Sequence, residues 1–167
     1  MDLILFHKNC PDGFCAAYIC KMKYPEAELM PLNHGLLSEA LEELFIYATG
    51  KDVIMVDYSL RTRELNDRLN ASAKSFRILD HHKTAQAVLD GALYATFDMR
   101  RSGAGLAWDY LFETRRPWIV DFIEDRDLWN WRLPYSKEVC AYLNTLPFTL
   151  EACDSLDWTL SIDGDTL

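Results

Sequence analysis

A chain of 167 residues, half of them hydrophobic, has enough apolar material for one domain with a substantial core and too little length for several. Its 17 basic and 26 acidic side chains leave a formal net charge of −9. That argues against a long nucleic acid as partner, because affinity for a phosphate backbone comes from clustered Lys and Arg. A small phosphorylated ligand stays open, since bound divalent cations can supply positive charge locally.

Five cysteines (Cys10, Cys15, Cys20, Cys140, Cys153) form no Cys-x-x-Cys pair and no zinc-finger spacing. An odd number with no secretory pattern points to a reducing, cytoplasmic setting. The run Met1 to Phe6 is too short for a leader core or a membrane span, so no membrane association is expected. Cys10 sits in the first loop, where a thiol nucleophile has to be weighed, but no neighbouring pattern supplies an activating base.

In chain order, Leu3 to Phe6 reads as a strand buried on both faces, followed by a loop His7 to Gly13. Phe14 to Met22 is an apolar helical stretch that Pro25 stops. Ala27 to Leu32 suggests a second strand, Leu36 to Tyr47 a helix, and Asp52 to Val56 a third strand. Thr62 to Ser72 is an amphipathic helix through Leu65 and Leu69, and Ser75 to Leu79 a fourth strand. This alternation is the signature of an α/β fold: a doubly wound, mostly parallel sheet with helices on both faces. Beyond it, Ala85 to Leu89 reads as a short helix, Ala92 to Phe97 as a strand, and Arg100 to Gly105 as the opening of a helix through Leu111. Pro117 suits the first turn of a helix Trp118 to Glu124 that leads into Asp125-Arg126-Asp127. Lys137 to Leu146 is expected to be helical, and Thr149 to Leu167 an acidic, poorly periodic tail.

Three of the apolar strands run straight into metal-type ligands: Phe6 into His7, Val56 into Asp57, and Leu79 into Asp80-His81-His82. In an open parallel sheet, ligands bind beyond the carboxyl ends of the strands. Three of the four histidines lie in these segments, and His34, on a turn, is read as an ordinary exposed residue. Mixed carboxylate and imidazole suit Mn²⁺, Fe²⁺, Co²⁺ or Zn²⁺, whereas carboxylate alone would suit Mg²⁺ better. Asp57, at a central strand end, is the natural bridge between two ions ~3.5–4 Å apart, a spacing that serves in-line phosphoryl displacement.

His7-Lys8-Asn9-Cys10-Pro11-Asp12-Gly13-Phe14, Val56-Asp57, Asp80-His81-His82 and Asp125 resemble the four motifs of the DHH phosphoesterases. The form of the first motif and Ile123-Glu124-Asp125-Arg126-Asp127-Leu128-Trp129 look most like the oligoribonuclease (nanoRNase B-like) branch. The resemblance spans residues 3–135, which would be the catalytic domain, with 136–167 a helical extension and acidic tail. Relatives usually carry a further C-terminal substrate-binding domain, called DHHA1, which is not expected within these residues. A catalytic domain alone implies an open cleft and modest specificity.

The resemblance implies one metal held by Asp12, Asp57, His81 and Asp125, and a second held by His7, Asn9 and the shared Asp57. Relatives commonly have Asp at position 9. An amide oxygen brings no charge, so a weaker second site is expected, with a loop hydrogen bond the alternative for Asn9. Asp127 is the alternative to Asp125. Asp80 would accept from His81 and fix its tautomer, and His82 would face the phosphate as donor or acid. Lys83, Arg100, Arg101, Ser102 and Gly103 are the candidate phosphate contacts, the last four opening a helix whose free amides favour anions. Trp108, Trp118, Trp129 and Trp131 are read as packing residues ahead of base-stacking platforms. The implied activity is hydrolysis of short oligonucleotides or dinucleotides with Mn²⁺, or with Mg²⁺ or Co²⁺, by metal-activated water. A homo-oligomer is left open. Two other readings remain: a protein that binds nucleotide without turnover, and a structural α/β module whose strand-end polar groups only cap the sheet.

Overall fold

A computed structural model describes residues 1–159. Five strands, β1 (Leu3–His7), β2 (Glu28–Leu32), β3 (Asp52–Val56), β4 (Ser75–Asp80) and β5 (Ala95–Phe97), form one sheet in the order β2-β1-β3-β4-β5. Every pairing is parallel. The β-branched and leucine-rich runs of β1, β3 and β4 are buried because helices cover both faces. Strand alternation sorts their side chains into two cores. Ile4, Phe6, Ile54, Val56 and Leu79 face α1 (Pro11–Lys23), α5 (Gly103–Leu111) and α6 (Trp118–Asp127). Leu3, Leu5, Val53, Met55 and Ile78 face α2 (Ser38–Ala48), α3 (Arg63–Ser72) and α4 (Gln86–Leu89), the last preceded by a 3₁₀ turn, Lys83–Ala85. Each fully buried aliphatic side chain contributes about 1.5–3 kcal/mol.

The strand order reverses direction between β1 and β3. The connection after β1 runs outward to β2, while later connections run the other way, so loops leaving the carboxyl ends of β1 and β3 part and open a crevice. His7 ends β1, Asp57 follows β3, and Asp80 ends β4, so all three lie at that edge. Helix α1 starts at Pro11, earlier than the periodicity suggests, because proline is pre-organised for a first helical turn. Asp12 and Gly13 therefore sit in that turn and not in a loop. Asp125 and Asp127 likewise occupy the last turn of α6, with Pro117 as its N-cap.

Helices α7 (Ser136–Leu143) and α8 (Leu150–Asp154) follow, and α8 falls where the sequence suggests an aperiodic tail. This extension packs on the same body: Phe148 stacks on Phe14, Trp158 stacks on Tyr18, and Trp118 Nε1 donates to the Asp157 carbonyl at 2.7 Å. The final acidic stretch of the expected tail, residues 160–167, lies outside the described residues. Among the described residues no helix is long and apolar enough to cross a membrane. All five cysteines are free.

Candidate metal centre

Asp57 is the hub. It is 1% exposed and adopts φ +53°, a left-handed conformation that Asp tolerates better than most residues. Its N–H is still held by the Leu79 carbonyl at 2.9 Å, so the turn begins while the residue is tied to β4. The carboxylate then presents one oxygen to each of two groups. Oδ1 lies 3.1 Å from His81 Nε2, and Oδ2 lies 3.7 Å from His7 Nδ1. The second distance is too long for a hydrogen bond. Both His7 Nδ1 and Asp57 Oδ2 are buried without a hydrogen-bond partner.

On the Oδ1 side, His81 Nε2 lies 3.5 Å from Asp12 Oδ2 and 3.5 Å from Asp127 Oδ2. Ligands held ~2.0–2.2 Å from one tetrahedral ion sit about 3.4 Å apart, so this spacing fits a shared cation. Single donor atoms of His7, Cys10 and Asp57 also lie within 4.8 Å of one another. Two glycines leave room around Asp57. A Cβ on Gly103 would stand 2.5 Å from Asp57 Cβ, and one on Gly13 would stand 2.9 Å from Asp57 Oδ2.

The electrostatics also call for positive charge. Burial pushes the Asp12 carboxyl well above its ordinary range, and the charges of Asp57 and Asp127 push it further. Asp127 is raised by burial and by Asp57, with His81 opposing. Burial would raise Asp57 too, but the facing imidazoles of His7, His81 and His82 hold it well below the usual carboxylate range. Burial would lower His81, yet its hydrogen bond to Asp57 and the charges of Asp12, Asp57 and Asp127 lift it to about 9. Packing three carboxylates around one imidazole is costly without a compensating ion.

Several site residues differ from the sequence-based expectation. Asp125 does not face His81: its carboxylate accepts from the Arg132 and Leu133 amides at 2.9 and 3.3 Å, closing the loop after α6. Asp127, a little further along the same helix, brings its carboxylate to His81 instead. Asn9, at φ +58°, is exposed, and the next residue, Cys10, has its thiol within 4.8 Å of a donor atom of His7 and of Asp57. Burial, with Asp57 reinforcing it, pushes the Cys10 thiol up to about 12, which argues against a free thiolate nucleophile. Asp80 does not orient the His81 ring. Its Oδ1 accepts from the backbone amides of His81 and His82 at 2.7 and 3.1 Å and pairs with His82 Nδ1 at 2.8 Å. It is the His82 ring that Asp80 fixes.

The expected phosphate contacts at α5 are committed elsewhere. The amides of Gly103 and Ala104 donate to Asp12 at 2.6 and 2.8 Å, so the anion at this helix N-terminus is the protein's own carboxylate. Ser102 donates its amide to Glu124 and uses its hydroxyl to cap Gly105. Arg100 pairs with Asp98, and Arg101 with Glu124 and Asp109. Lys83 is exposed beside His82 and has no ion pair among the described residues. His34, read from sequence as an ordinary surface residue, lies against the His7 ring at 4.3 Å between centroids and stacks on Tyr58. No signal in the sequence marks it, because only the turn after β2 carries it to the crevice.

No protein-family profile matches the chain. It is 32% identical over 155 residues to an uncharacterised protein, R106, of Acanthamoeba polyphaga mimivirus, an alignment covering 85% of this chain and 37% of the viral protein. Its fold is similar to that of an uncharacterised protein from Helicobacter pylori G27 seen in a crystal structure. The TM-score is 0.67 at 17% identity, over 86% of this chain and 49% of the other. The chain thus spans less than half the length of either protein. At that identity the likeness to the Helicobacter protein is one of fold alone.

Proposed function

We propose that the chain is a divalent-cation-dependent phosphoesterase of the DHH type, hydrolysing phosphodiester bonds in short oligonucleotides or dinucleotides, with Mn²⁺ the first cation to try. One observation carries this reading: Asp57 turns its two oxygens to two separate donor groups, and on one side the facing atoms, Asp57 Oδ2 and His7 Nδ1, are both buried and unpartnered. Asp12, Asp57, His81 and Asp127 would hold one cation, and His7 and Asp57 would contribute to a second. Cations in such a ligand set neutralise phosphoryl charge and make water acidic enough to attack at neutral pH.

The protein's own groups supply the rest. Beside the centre lies a cleft of about 470 Å³ lined by His34, Tyr58, Arg61, His82 and Thr84, a volume that would take a nucleotide portion of a substrate. His82 Nδ1 is engaged by Asp80, which leaves Nε2 to meet a ligand. The hydrogen bond to Asp80 raises the pKa of this imidazole against the opposing effect of burial, which favours its protonated form. A protonated His82 can give its proton to the departing oxygen, a role worth about 10²–10⁴-fold in rate. Arg61 and Lys83 are the nearby cations available to further phosphates.

The test is a hydrolysis panel with Mn²⁺ on a linear dinucleotide, a short RNA, a cyclic dinucleotide and pyrophosphate. Turnover of the dinucleotide or short RNA is expected, abolished by Asp57→Asn and lowered about 10²–10⁴-fold by His82→Ala. Full activity in Asp57→Asn would overturn the reading. So would saturable nucleotide binding without turnover under Mn²⁺, Mg²⁺ and Co²⁺, which would make the chain a binder.

A further inference from the structure

We propose that His7 Nδ1, Cys10 Sγ and Asp57 Oδ2 form a thiolate-containing cation site that prefers Zn²⁺-like metals to Mn²⁺ or Mg²⁺, which makes the two halves of the centre chemically unequal. The inference rests on the reading above only in that Asp57 serves both halves.

The local backbone decides which side chain enters the cluster. Lys8 N–H is still held by the Leu32 carbonyl at 2.9 Å, so β1 pairing continues one residue past His7. Asn9 then reverses the chain at φ +58° and stays exposed. Cys10 follows in extended conformation as the N-cap of α1, with Pro11 fixing the start of the helix. The thiol is thereby brought within 4.8 Å of the donor atoms of His7 and Asp57. An independent observation points to a ligand: Asp57 is 1% exposed, and its Oδ2, which lies 3.7 Å from His7 Nδ1, is buried without a partner, as is His7 Nδ1 itself. Gly13 keeps the same space clear, since a Cβ there would stand 2.7 Å from the His7 carbonyl and 2.9 Å from Asp57 Oδ2.

The donor set then selects the ion. One sulfur, one imidazole nitrogen and one carboxylate oxygen suit a tetrahedral, thiophilic metal with a fourth position open to water or substrate oxygen. Mn²⁺ and Mg²⁺ favour oxygen donors, and Mg²⁺ demands near-octahedral geometry that three such groups do not offer. The opposite half, Asp12, His81 and Asp127 with Asp57 Oδ1, is richer in oxygen and suits Mn²⁺. Binding at Cys10 would displace the thiol proton to solvent and form a metal–sulfur bond with no change of oxidation state.

Co²⁺ titration of the metal-free protein reads this directly. A thiolate-to-cobalt charge-transfer band in the near ultraviolet is expected, reversed by Zn²⁺ or Cd²⁺ and untouched by excess Mn²⁺ or Mg²⁺. Cys10→Ser should lose the band while still binding Co²⁺ in the other half, and Asp127→Asn should keep it. By competition, Zn²⁺ should bind more tightly than Mn²⁺, and the margin should narrow in Cys10→Ser, where the soft thiolate donor is lost. Absence of the band in the wild-type protein at saturating Co²⁺ would overturn the proposal whatever the folding of the variant, as would its persistence in Cys10→Ser. Hydrolysis is not read in this experiment. A protein that turns over dinucleotides with Mn²⁺ but shows no band would lose this inference and keep the phosphoesterase reading; a band without turnover would do the reverse.

Discussion

Replacing Gly103 by alanine probes how tightly α5 is pressed onto the hub of the site. The added methyl would stand 2.5 Å from Asp57 Cβ, 2.8 Å from its Oδ1 and 2.9 Å from its Cγ. Asp57 Cβ is attached directly to a backbone tied to β4, so the carboxylate has no simple rotation that clears the clash. Overpacking of this kind costs about 1–3 kcal/mol, against a gain of at most about 1 kcal/mol from alanine's better helix propensity. For a domain of this size about 1 kcal/mol moves Tm by about 2–4 °C, so a drop of several degrees in a thermal melt is expected. Displacing Asp57 also disturbs both donor groups, and Mn²⁺ affinity measured calorimetrically should fall about 10–100-fold. Gly50→Ala is the control. It forces alanine to φ +73° in open space, so it should lower Tm through backbone strain and leave metal affinity unchanged. If Gly103→Ala melts no lower than the wild type and binds Mn²⁺ equally well, then α5 does not press on Asp57 and the geometry of the hub described above is wrong.

The neighbouring acids of α6 should separate cleanly. Asp127→Asn is expected to weaken Mn²⁺ binding with little change in Tm, whereas Asp125→Ala should leave two loop amides without acceptors at about 1–3 kcal/mol each. The loop it closes holds Trp129, Trp131 and Tyr135 at positive φ, so a lower Tm with metal affinity retained is the expected outcome, and the reverse pattern would restore Asp125 as the ligand. The pH dependence follows from His81. In the metal-free protein its pKa is raised from 6.5 to about 9, so its contribution, up to about 3 kcal/mol, is complete below pH 6.5 and lost as pH rises toward 9. Chemical denaturation should show metal-free stability falling across that window. A cation must displace the same proton, so apparent Mn²⁺ affinity should climb by about tenfold per pH unit below pH 9, and a flat profile from pH 6.5 to 8 would refute the assignment.

Local pattern and long-range placement contributed differently to this molecule. Strand β3 runs from Asp52 to Val56 as the apolar run suggests, and the abrupt change from apolar to ligand-type residues at His7, Asp57 and His81 was legible because strand ends and burial are local properties. The choice between Asp125 and Asp127 was not legible. Two acids in one helical turn are equivalent in sequence, and only the packing of α6 decides which meets His81 and which closes a loop. The fate of the α5 N-terminus was equally hidden, since its amides are taken by Asp12, 91 positions away from Gly103. The left-handed turn at Asn9, which sets the direction in which Cys10 follows, is likewise a dihedral angle that residue type alone does not dictate.

By itself the sequence determined an alternating α/β chain in which three apolar strands, at Leu3, Asp52 and Ser75 onward, are buried on both faces and run into carboxylate and imidazole. Hydrophobic periodicity and strand-stop residues report burial directly, so no neighbours need to be known. The tertiary structure alone decided that β1 and β3 lie side by side at the point where the sheet reverses direction. That adjacency carries His7, Cys10 and Asp12 to Asp57 and His81, and it depends on strand order, which no stretch of the chain encodes by its own periodicity.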